Sequence, residues 1–327
     1  MFPPIELIDF LKNKDHFIIA THISPDGDGL GSSIALSMAL EQIKKDVLLL
    51  CKDNLPIQYK FLPGQEKFIT LENLKSSNID ITTFKHLILI DCNDIDRIID
   101  KDTKENSISL SSLYAIVIDH HETEKSFGDI RWVMPDAAAT GLMIYYIIKE
   151  LKTIITPEIA INLYAALATD TGNFRYENTD SEVLNIAAEL VKAGARPHLI
   201  YRELFESWSE GRFALFTKVL NTLKIEDKIA IVTVTKKMFE ETGTNPEDTE
   251  YFVEFFKIIK NINVSVLFRE IDSNYYKVSL RSKDDINVAS VAASYGGGGH
   301  KNASGFRIRA DIDTAKRDIL NKLEKII

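Results

Sequence analysis

Short apolar runs, each ended by polar or glycine-rich residues, alternate with helical periodicity through the first two-thirds of the chain. Phe17–Ala20 (FIIA), Val47–Cys51 (VLLLC), Leu87–Ile90 (LILI) and Ala115–Ile118 (AIVI) have the near-continuous apolar character of strands buried on both faces. Helical patterns fall at 5–12, about 33–44, 140–151 opening on Thr140-Gly141, 157–169 opening on Pro157, and 180–193 closed by Gly194. Ser32 or Ser33 is expected to cap the second of these. Such strand–helix alternation predicts an α/β fold with a doubly wound parallel sheet. From Lys224 the pattern changes. It predicts strands at 229–235, Val264–Arg269, Tyr276–Arg281 and Phe306–Ala310, and helices at 246–260, 287–295 and 313–325, hence a smaller α+β domain. We expect a first domain over 1–195, a helical linker over 196–220 and a second domain over 221–327. The linker aromatics Tyr201, Phe205, Trp208, Phe213 and Phe216 are expected to pack against a domain or partner.

Composition narrows the class. The 327 residues are 45% hydrophobic and 27% charged, an ordinary balance for a folded domain pair. No apolar run approaches the roughly 20 residues needed to span a bilayer, and the N-terminal stretch lacks a signal peptide's basic and apolar regions. A cytoplasmic protein without a membrane partner is expected. Cys51 and Cys92 have no motif spacing, so a disulfide framework or thiolate zinc site is not expected. The formal net charge of −9 is uneven, because residues 221–327 nearly balance, with 17 Lys and Arg against 16 Asp and Glu. An acidic first part disfavours a groove for long nucleic acid and suits a site holding carboxylates for metals.

The chemistry gathers where predicted elements end. The run Leu113–His121 (LYAIVIDHH) delivers Asp119, His120 and His121 to the carboxyl end of a strand, where open α/β sheets bind ligands. Phe17–Ala20 leads into a Pro- and Gly-rich loop with His22, Asp26 and Asp28. Leu87–Ile90 ends at Asp91, and the helix over 157–169 runs into Asp170. Singly, each has an ordinary reading: a capped strand end, a turn-forming loop, a helix-end carboxylate. Together His22, Asp26, Asp28, Asp91, His120 and Asp170 form an oxygen- and imidazole-rich donor set suited to Mn²⁺ or Mg²⁺. Four carboxylates match the charge of two divalent cations, and Asp91 is the candidate bridge between them. In the second domain Gly296–Gly299 can let backbone amides approach a ligand, with His300 and Lys301 next in line and Arg281 and Lys283 nearby.

These motifs resemble the DHH phosphoesterases of the DHHA1 subfamily. The likeness lies in His22–Asp28 with Gly31-Ser32, Ile90-Asp91, Asp119-His120-His121, Ala168–Gly172, Gly296–His300 and Ala303-Ser304-Gly305. TDTGNFRY (169–176) and SLRS (279–282) are similar to the nanoRNase and pAp-phosphatase branch. The resemblance implies a DHH domain joined by the linker to a DHHA1 domain, with the active site in the cleft between them. It implies a dinuclear, usually Mn²⁺, site. One ion would take His22, Asp26 and Asp91, and the other Asp28, Asp91, His120 and Asp170. Asp119 would orient a ligand imidazole, and His121 would meet the substrate phosphate or the leaving oxygen. Arg281 and His300 would hold the substrate's terminal phosphate or base, beside Gly298, Gly299 and Ser304. Arg175 would either face the cleft or lie on the surface.

The expected reaction is phosphoester hydrolysis by a water activated between two divalent cations, without a covalent intermediate. The expected substrates are oligoribonucleotides of two to five residues, linear dinucleotides such as pApA, and 3′-phosphoadenosine 5′-phosphate. Cyclic di-AMP hydrolysis and a non-catalytic nucleotide-binding regulator are the alternatives. A manganese pyrophosphatase lacks the GGGGH loop. A RecJ-like exonuclease needs more length and more basic surface. Membrane-anchored cyclic-dinucleotide relatives carry additional N-terminal regions. Relatives often pair, so a homodimer is also expected.

Overall fold

The computed structural model describes residues 1–52, 54–98, 110–122 and 126–327. The chain divides into two compact units, Met1–Ser207 and Trp208–Ile327. The first carries strands β1 (Phe17–Ala20), β2 (Val47–Cys51), β3 (Phe68–Thr70), β4 (His86–Ile90), β5 (Tyr114–Asp119) and β6 (Ile130–Val133). Its helices are α1 (Ile5–Asn13), α2 (Gly27–Gln42), α3 (Leu71–Ser76), α4 (Thr140–Leu151), α5 (Pro157–Asp170), α6 (Ser181–Ala193) and α7 (Pro197–Phe205).

The six strands form one parallel sheet in the order β3-β2-β1-β4-β5-β6. Chain progress runs outward from β1 in one direction and from β4 in the other. The strand order therefore reverses between β1 and β4, and the crevice at their carboxyl ends is the ligand position of such sheets. His22 follows β1 by two residues, and Asp91 directly follows β4. Apolar clusters cover both sheet faces: Phe17, Ile19, Ile88, Ile90, Ile116 and Ile118 pack on one side, and Ile18, Ala20, Leu87, Leu89 and Val117 on the other. This is the reason the strands read as unbroken apolar runs. The edge strands β3 and β6 escape the sequence reading, because one has three half-buried residues and the other alternates buried and exposed ones.

Helix α2 begins earlier than the periodicity predicts. Its cap is Asp26, not Ser32 or Ser33: the Asp26 carboxylate accepts the backbone N–H groups of Asp28 and Gly29 at 3.0 and 3.1 Å. Asp28 therefore stands in the first helical turn and not in a loop. Gly31 lies where α2 meets α5. A Cβ there would stand 2.4 Å from the Asn162 carbonyl oxygen, so only hydrogen fits without moving backbone.

The second unit has α8 (Glu210–Leu220), α9 (Lys236–Thr242), α10 (Phe252–Phe255), α11 (Val288–Ala293) and α12 (Ile312–Leu323). Its strands are β7 (Lys224–Glu226), β8 (Ile229–Val234), β9 (Val264–Asp272), β10 (Tyr275–Ser282), β11 (Gly298–His300) and β12 (Ala303–Arg309). They form a mixed sheet in the order β11-β12-β10-β9-β8-β7, with only β8 and β9 parallel. The expected helix over 246–260 is broken. A 3₁₀ turn at Pro246–Thr249 stops at Tyr251, whose φ of +63° reverses the chain before α10. Of the stretch 196–220, α7 packs Ile200 and Leu204 into the first core, while α8 packs Leu215, Phe216 and Val219 into the second. Trp208 and Phe216 pack tilted against Phe252, whereas Phe213 faces solvent at 64% exposure.

The Gly31 contact yields a stability test. Gly31→Ala forces α2 from α5 and is expected to cost about 1–3 kcal/mol, the usual range for overpacking. Denaturant unfolding that matched the unsubstituted protein would show that the interface can absorb a methyl group.

Candidate metal centre

Each candidate ligand is aimed by its own backbone. His22 Nδ1 donates to the Ile23 carbonyl at 2.9 Å, which turns Nε2 toward Asp91, 3.5 Å from Oδ2. Asp91 itself has φ +56° and donates its N–H to the Ile118 carbonyl of β5 at 3.0 Å. Asp and Asn tolerate this left-handed conformation better than bulkier residues. His120 Nδ1 donates to the Ala137 carbonyl at 3.0 Å, and its Nε2 lies 3.0 Å from Asp170 Oδ2 and 3.5 Å from Asp91 Oδ1.

Asp28 is fully buried. It accepts the N–H groups of Thr140 and Gly141 at 2.6 and 2.8 Å, and the Ser32 hydroxyl at 3.0 Å. Helix α4 has no side-chain cap of its own at Ala139, so Asp28 supplies one from across the fold at the positive end of the helix. The Thr140 hydroxyl donates to Asp91 Oδ1 at 3.0 Å. Thr140-Gly141, read from sequence only as a helix start, thus holds two of the carboxylates.

The structure gathers the predicted residues into two principal groups. His22, Asp26 and Asp91 present ligand atoms within 4.8 Å of one another, and so do Asp28, His120 and Asp170. Asp91 turns Oδ2 toward His22 of the first and Oδ1 toward His120 of the second. A third overlapping group joins Asp91, Asp119 and His121.

The role expected of Asp119 needs correction. Its Oδ1 binds Nδ1 of His121 at 2.8 Å and the His121 N–H at 3.1 Å, while the carbonyl of Ala137 is the group that orients His120. The other oxygen, Oδ2, accepts a short hydrogen bond from the Asn93 amide. Asn93 was not singled out from sequence. The available signal was a polar residue two positions after the Asp that ends a buried strand.

The charges strain against one another. Burial, then Asp91 and Asp170, push the Asp26 carboxyl up to about 6, and the same causes push Asp28 well above its ordinary value. Burial also opposes ionisation of Asp91, but the imidazoles of His121, His22 and His120 outweigh it and hold that carboxyl well below the usual range. Burial opposes a charge on His120 too, yet Asp170, Asp91 and Asp28 raise it to about 10. Carboxylates this close and this buried call for compensating positive charge. A divalent cation fits the set: oxygen and imidazole donors in two groups, each ring held by a backbone carbonyl at its other nitrogen. Cys92 offers no thiolate, since burial pushes its thiol up to about 11 and it donates to the Asp94 carbonyl.

In the second unit, Arg281 lies on β10. Its Nε donates to Glu254 in a short contact, and its Nη1 donates to the Leu280 carbonyl at 3.0 Å. The Gly-rich segment is partly strand: Gly298, Gly299 and His300 pair with Gly305, Ser304 and Ala303. Gly299 has φ +134°, and a Cβ there would stand 2.5 Å from the Ala303 oxygen. Gly298 has open space around its own Cβ position. Ser304 departs from expectation. It pairs with Leu280 on the core face, is buried, and donates to the Val288 carbonyl at 2.9 Å, so it anchors α11 and does not face a ligand. Lys301 reaches Asp285 and Lys283 reaches the Ile259 carbonyl. In the first unit Arg175 is exposed, and its Nε donates to the Gly172 carbonyl in the turn after Asp170. Among the described residues, no helix is long and apolar enough to cross a membrane.

The DHH family N-terminal domain matches residues 16–167, and the DHHA1 domain matches residues 226–327. The bifunctional oligoribonuclease and PAP phosphatase NrnA of Thermus thermophilus is 32% identical over 310 residues, covering 94% of this chain and 89% of that one. The crystal structure of an exopolyphosphatase-related protein from Bacteroides fragilis superposes with a TM-score of 0.88 at 28% identity, over 98% of this chain and 95% of that one. RecJ of Thermus thermophilus, solved in complex with Mn²⁺, has a TM-score of 0.55 at 15% identity, over 98% of this chain and 54% of that one. At that identity the likeness shows the shared fold alone.

Cation binding can be read without any substrate. Adding Mn²⁺ should raise the thermal midpoint, with about 2.7 kcal/mol of stabilisation at a hundredfold excess over the dissociation constant. Asp91→Asn keeps a side chain that tolerates the left-handed backbone, and it should remove most of the rise. An equal rise in that variant would take Asp91 out of the ligand set.

Proposed function

This chain belongs to the DHH/DHHA1 family of phosphoesterases, and we propose that it hydrolyses short oligoribonucleotides, linear dinucleotides such as pApA, and 3′-phosphoadenosine 5′-phosphate. The observation that carries this reading is Asp91, which presents one oxygen to each of two ligand groups at the point where the strand order reverses. In this reading two divalent cations, Mn²⁺ foremost, occupy the first unit. His22, Asp26 and Asp91 hold one; Asp28, Asp91, His120 and Asp170 hold the other. Such a pair makes water acidic enough to act as a nucleophile near neutral pH, and it neutralises charge on the phosphoryl oxygens.

The chain's own groups do the rest. Asp28 and Thr140 keep the carboxylates spaced, because α4's first amides and a hydroxyl fix the oxygens that cations would share. Asp28 Oδ1 is taken up by the Gly141 N–H and the Ser32 hydroxyl, whereas Oδ2 accepts only the Thr140 N–H and keeps a lone pair for a cation. His121 is the proton donor to the leaving oxygen. Asp119 accepts from its Nδ1 and favours the charged ring; in the metal-free protein Asp91 and Asp119 outweigh burial and raise the imidazole well above its ordinary value. Asn93 fixes Asp119 in turn. Asp119 and Asn93 are thus positioning residues.

In the second unit Arg281 and His300 take a substrate phosphate. The register aligns Arg281 with Ala303 and Ala303 with His300, so both side chains leave the sheet on one face. Glu254 engages one edge of the Arg281 guanidinium and keeps its plane fixed. Arginine's planar fork suits phosphate oxygens. The acidic first part of the sequence fits small anionic substrates delivered to cations better than long nucleic acid. We place this action in the cytoplasm, with small nucleotides as the partners.

A turnover panel with Mn²⁺ tests the assignment: pApA, a four-nucleotide RNA, 3′-phosphoadenosine 5′-phosphate and cyclic di-AMP, compared by kcat/KM. Preference for linear species supports it. Preference for the cyclic compound replaces it with a cyclic-dinucleotide phosphodiesterase, and binding without turnover of any of them replaces it with a regulator. His121→Ala should lower kcat on the preferred substrate about 10²- to 10⁴-fold, the range for a general acid, with little change in KM. Arg281→Ala should chiefly raise KM, by roughly 10- to 100-fold for a charged hydrogen bond of about 1.5–3 kcal/mol; an unchanged KM removes Arg281 from phosphate binding.

A further inference from the structure

The candidate ligands Asp28, Asp91, His120 and Asp170 are held from two places. The first is the irregular segment from Ala137 to the opening of α4. The Ala137 carbonyl accepts from Nδ1 of His120 at 3.0 Å. The N–H groups of Thr140 and Gly141 hold Asp28 at 2.6 and 2.8 Å, and the Thr140 hydroxyl holds Asp91 at 3.0 Å. The stretch 137–141 thus aims His120, Asp28 and Asp91 together. The second place is the end of α5, whose last residue is Asp170. Its Oδ2 stands 3.0 Å from Nε2 of His120. A cation shared by all of these residues needs the two places fixed to each other, because ligand distances must lie within about 0.2 Å of their ideal values.

One side chain spans them. Asn178 Nδ2 donates to the Ala138 carbonyl at 3.0 Å and to the Asp170 carbonyl at 3.2 Å. Both acceptors lack an alternative. The last carbonyls of a helix have no partner inside it, and Asp170 closes α5. Ala138 is buried in the irregular stretch between β6 and α4. Among the described residues, Asn178 is the only donor to either carbonyl. Joining two carbonyls takes an NH₂ group, since a carboxylate of the same shape would face both oxygens with lone pairs.

The chain brings Asn178 back over Asp170 by a left-handed coil. Gly172, Asn173 and Phe174 have φ of +55°, +59° and +60°. The N–H groups of Arg175 and Tyr176 both donate to the Thr171 carbonyl, at 2.9 and 3.0 Å. The Phe174 ring packs on Tyr164 of α5, with centroids 5.3 Å apart. Asn178 is therefore rooted on α5, and its amide reaches across to the segment before α4. The other ligand group does not depend on this link. His22 is aimed by the Ile23 carbonyl, and Asp26 by the amides of Asp28 and Gly29.

We propose that Asn178 is a positioning residue that staples the end of α5 to the segment before α4, and so sets the affinity of the cation assigned to Asp28, Asp91, His120 and Asp170. This rests on the reading that cations occupy both ligand groups. The other cation keeps His22 and Asp26, which the staple does not touch. Asn178 is exposed, so its removal opens no hole in the core. The cost falls on ligand placement and not on folding.

The test compares Asn178→Ala and Asn178→Asp with the unsubstituted protein. Mn²⁺ binding is followed by calorimetric titration, with electron paramagnetic resonance separating lone ions from exchange-coupled pairs. In Asn178→Ala one ion should bind about 10- to 100-fold more weakly, the usual range for loss of an outer hydrogen-bond partner, while the other holds its affinity. Asn178→Asp separates position from charge. A carboxylate near the cations would tighten them by attraction alone. The staple predicts weakening at least as great as in Asn178→Ala, because the two carbonyls are then repelled. Equal weakening of both ions, no weakening, or tighter binding in Asn178→Asp would overturn it. Hydrogen exchange on chelator-treated protein supplies a readout without metal: the Thr140 and Gly141 amides should exchange faster in Asn178→Ala, and unchanged exchange also overturns the staple. If the unsubstituted protein binds no pair of Mn²⁺ ions, the parent reading fails instead, and exchange still decides whether Asn178 joins the two segments.

Discussion

Asp26, Asp28, Asp91 and Asp170 cannot be packed together at the end of a sheet, two of them fully buried and two half-buried, unless positive charge stands among them. The first unit is arranged around that constraint. Without a cation the compensation falls to imidazoles, so His120 is drawn up to about 10 and Asp91 is held well below its usual range. Cations would do the same work without protonating the ligands. Protons and metal therefore compete for one set of groups, and loading must release protons.

The doubly wound sheet supplies the geometry that tolerates this charge. Neighbouring strands β1, β4 and β5 each deliver a polar residue just past their carboxyl ends, where the hydrogen-bond ladder has finished and side chains can converge. The two helices that meet there contribute opposite ends. Helix α4 gives its first amides to Asp28, and α5 brings Asp170 with its last residue. The left-handed backbone of Asp91 is a local cost that turns its carboxylate so each oxygen serves a different group. Both the cap and the turn are explained by where the carboxylates must stand.

The second unit meets the opposite problem. One face of its sheet collects the cations Arg269, Lys277, Arg281 and Arg307, of which Arg281 pairs with Glu254 while Glu247 and Glu250 act on Arg269 and Lys277. An anionic ligand would be recognised there, whereas in the first unit it would be recognised through metal. In the proposed reading one unit reacts at phosphorus and the other holds phosphate, which accords with the acidic first part of the sequence and its nearly neutral remainder.

What the sequence determined by itself was the chemistry and its order. Unbroken apolar runs ending at His22, Asp91 and Asp119-His120-His121 announced buried parallel strands with ligands at their ends, because burial on both faces and convergence at the carboxyl edge both leave marks in the order of residue types. Caps, breaks and pairings were left to tertiary structure. The sequence could not say that Asp26 caps α2, that Asp28 caps α4 from 112 residues away, or that Tyr251 breaks the expected helix. It assigned Ser304 to a ligand because the motif contains it, whereas the strand register turns it into the core. It also gave no sign that Arg269, Lys277 and Arg307 share a row, since residues so distant in sequence become neighbours only once strand register is set. Residue type is local and survives in the sequence; which carboxylate meets which imidazole, and which cations line up, is fixed only when strands pair and helices dock.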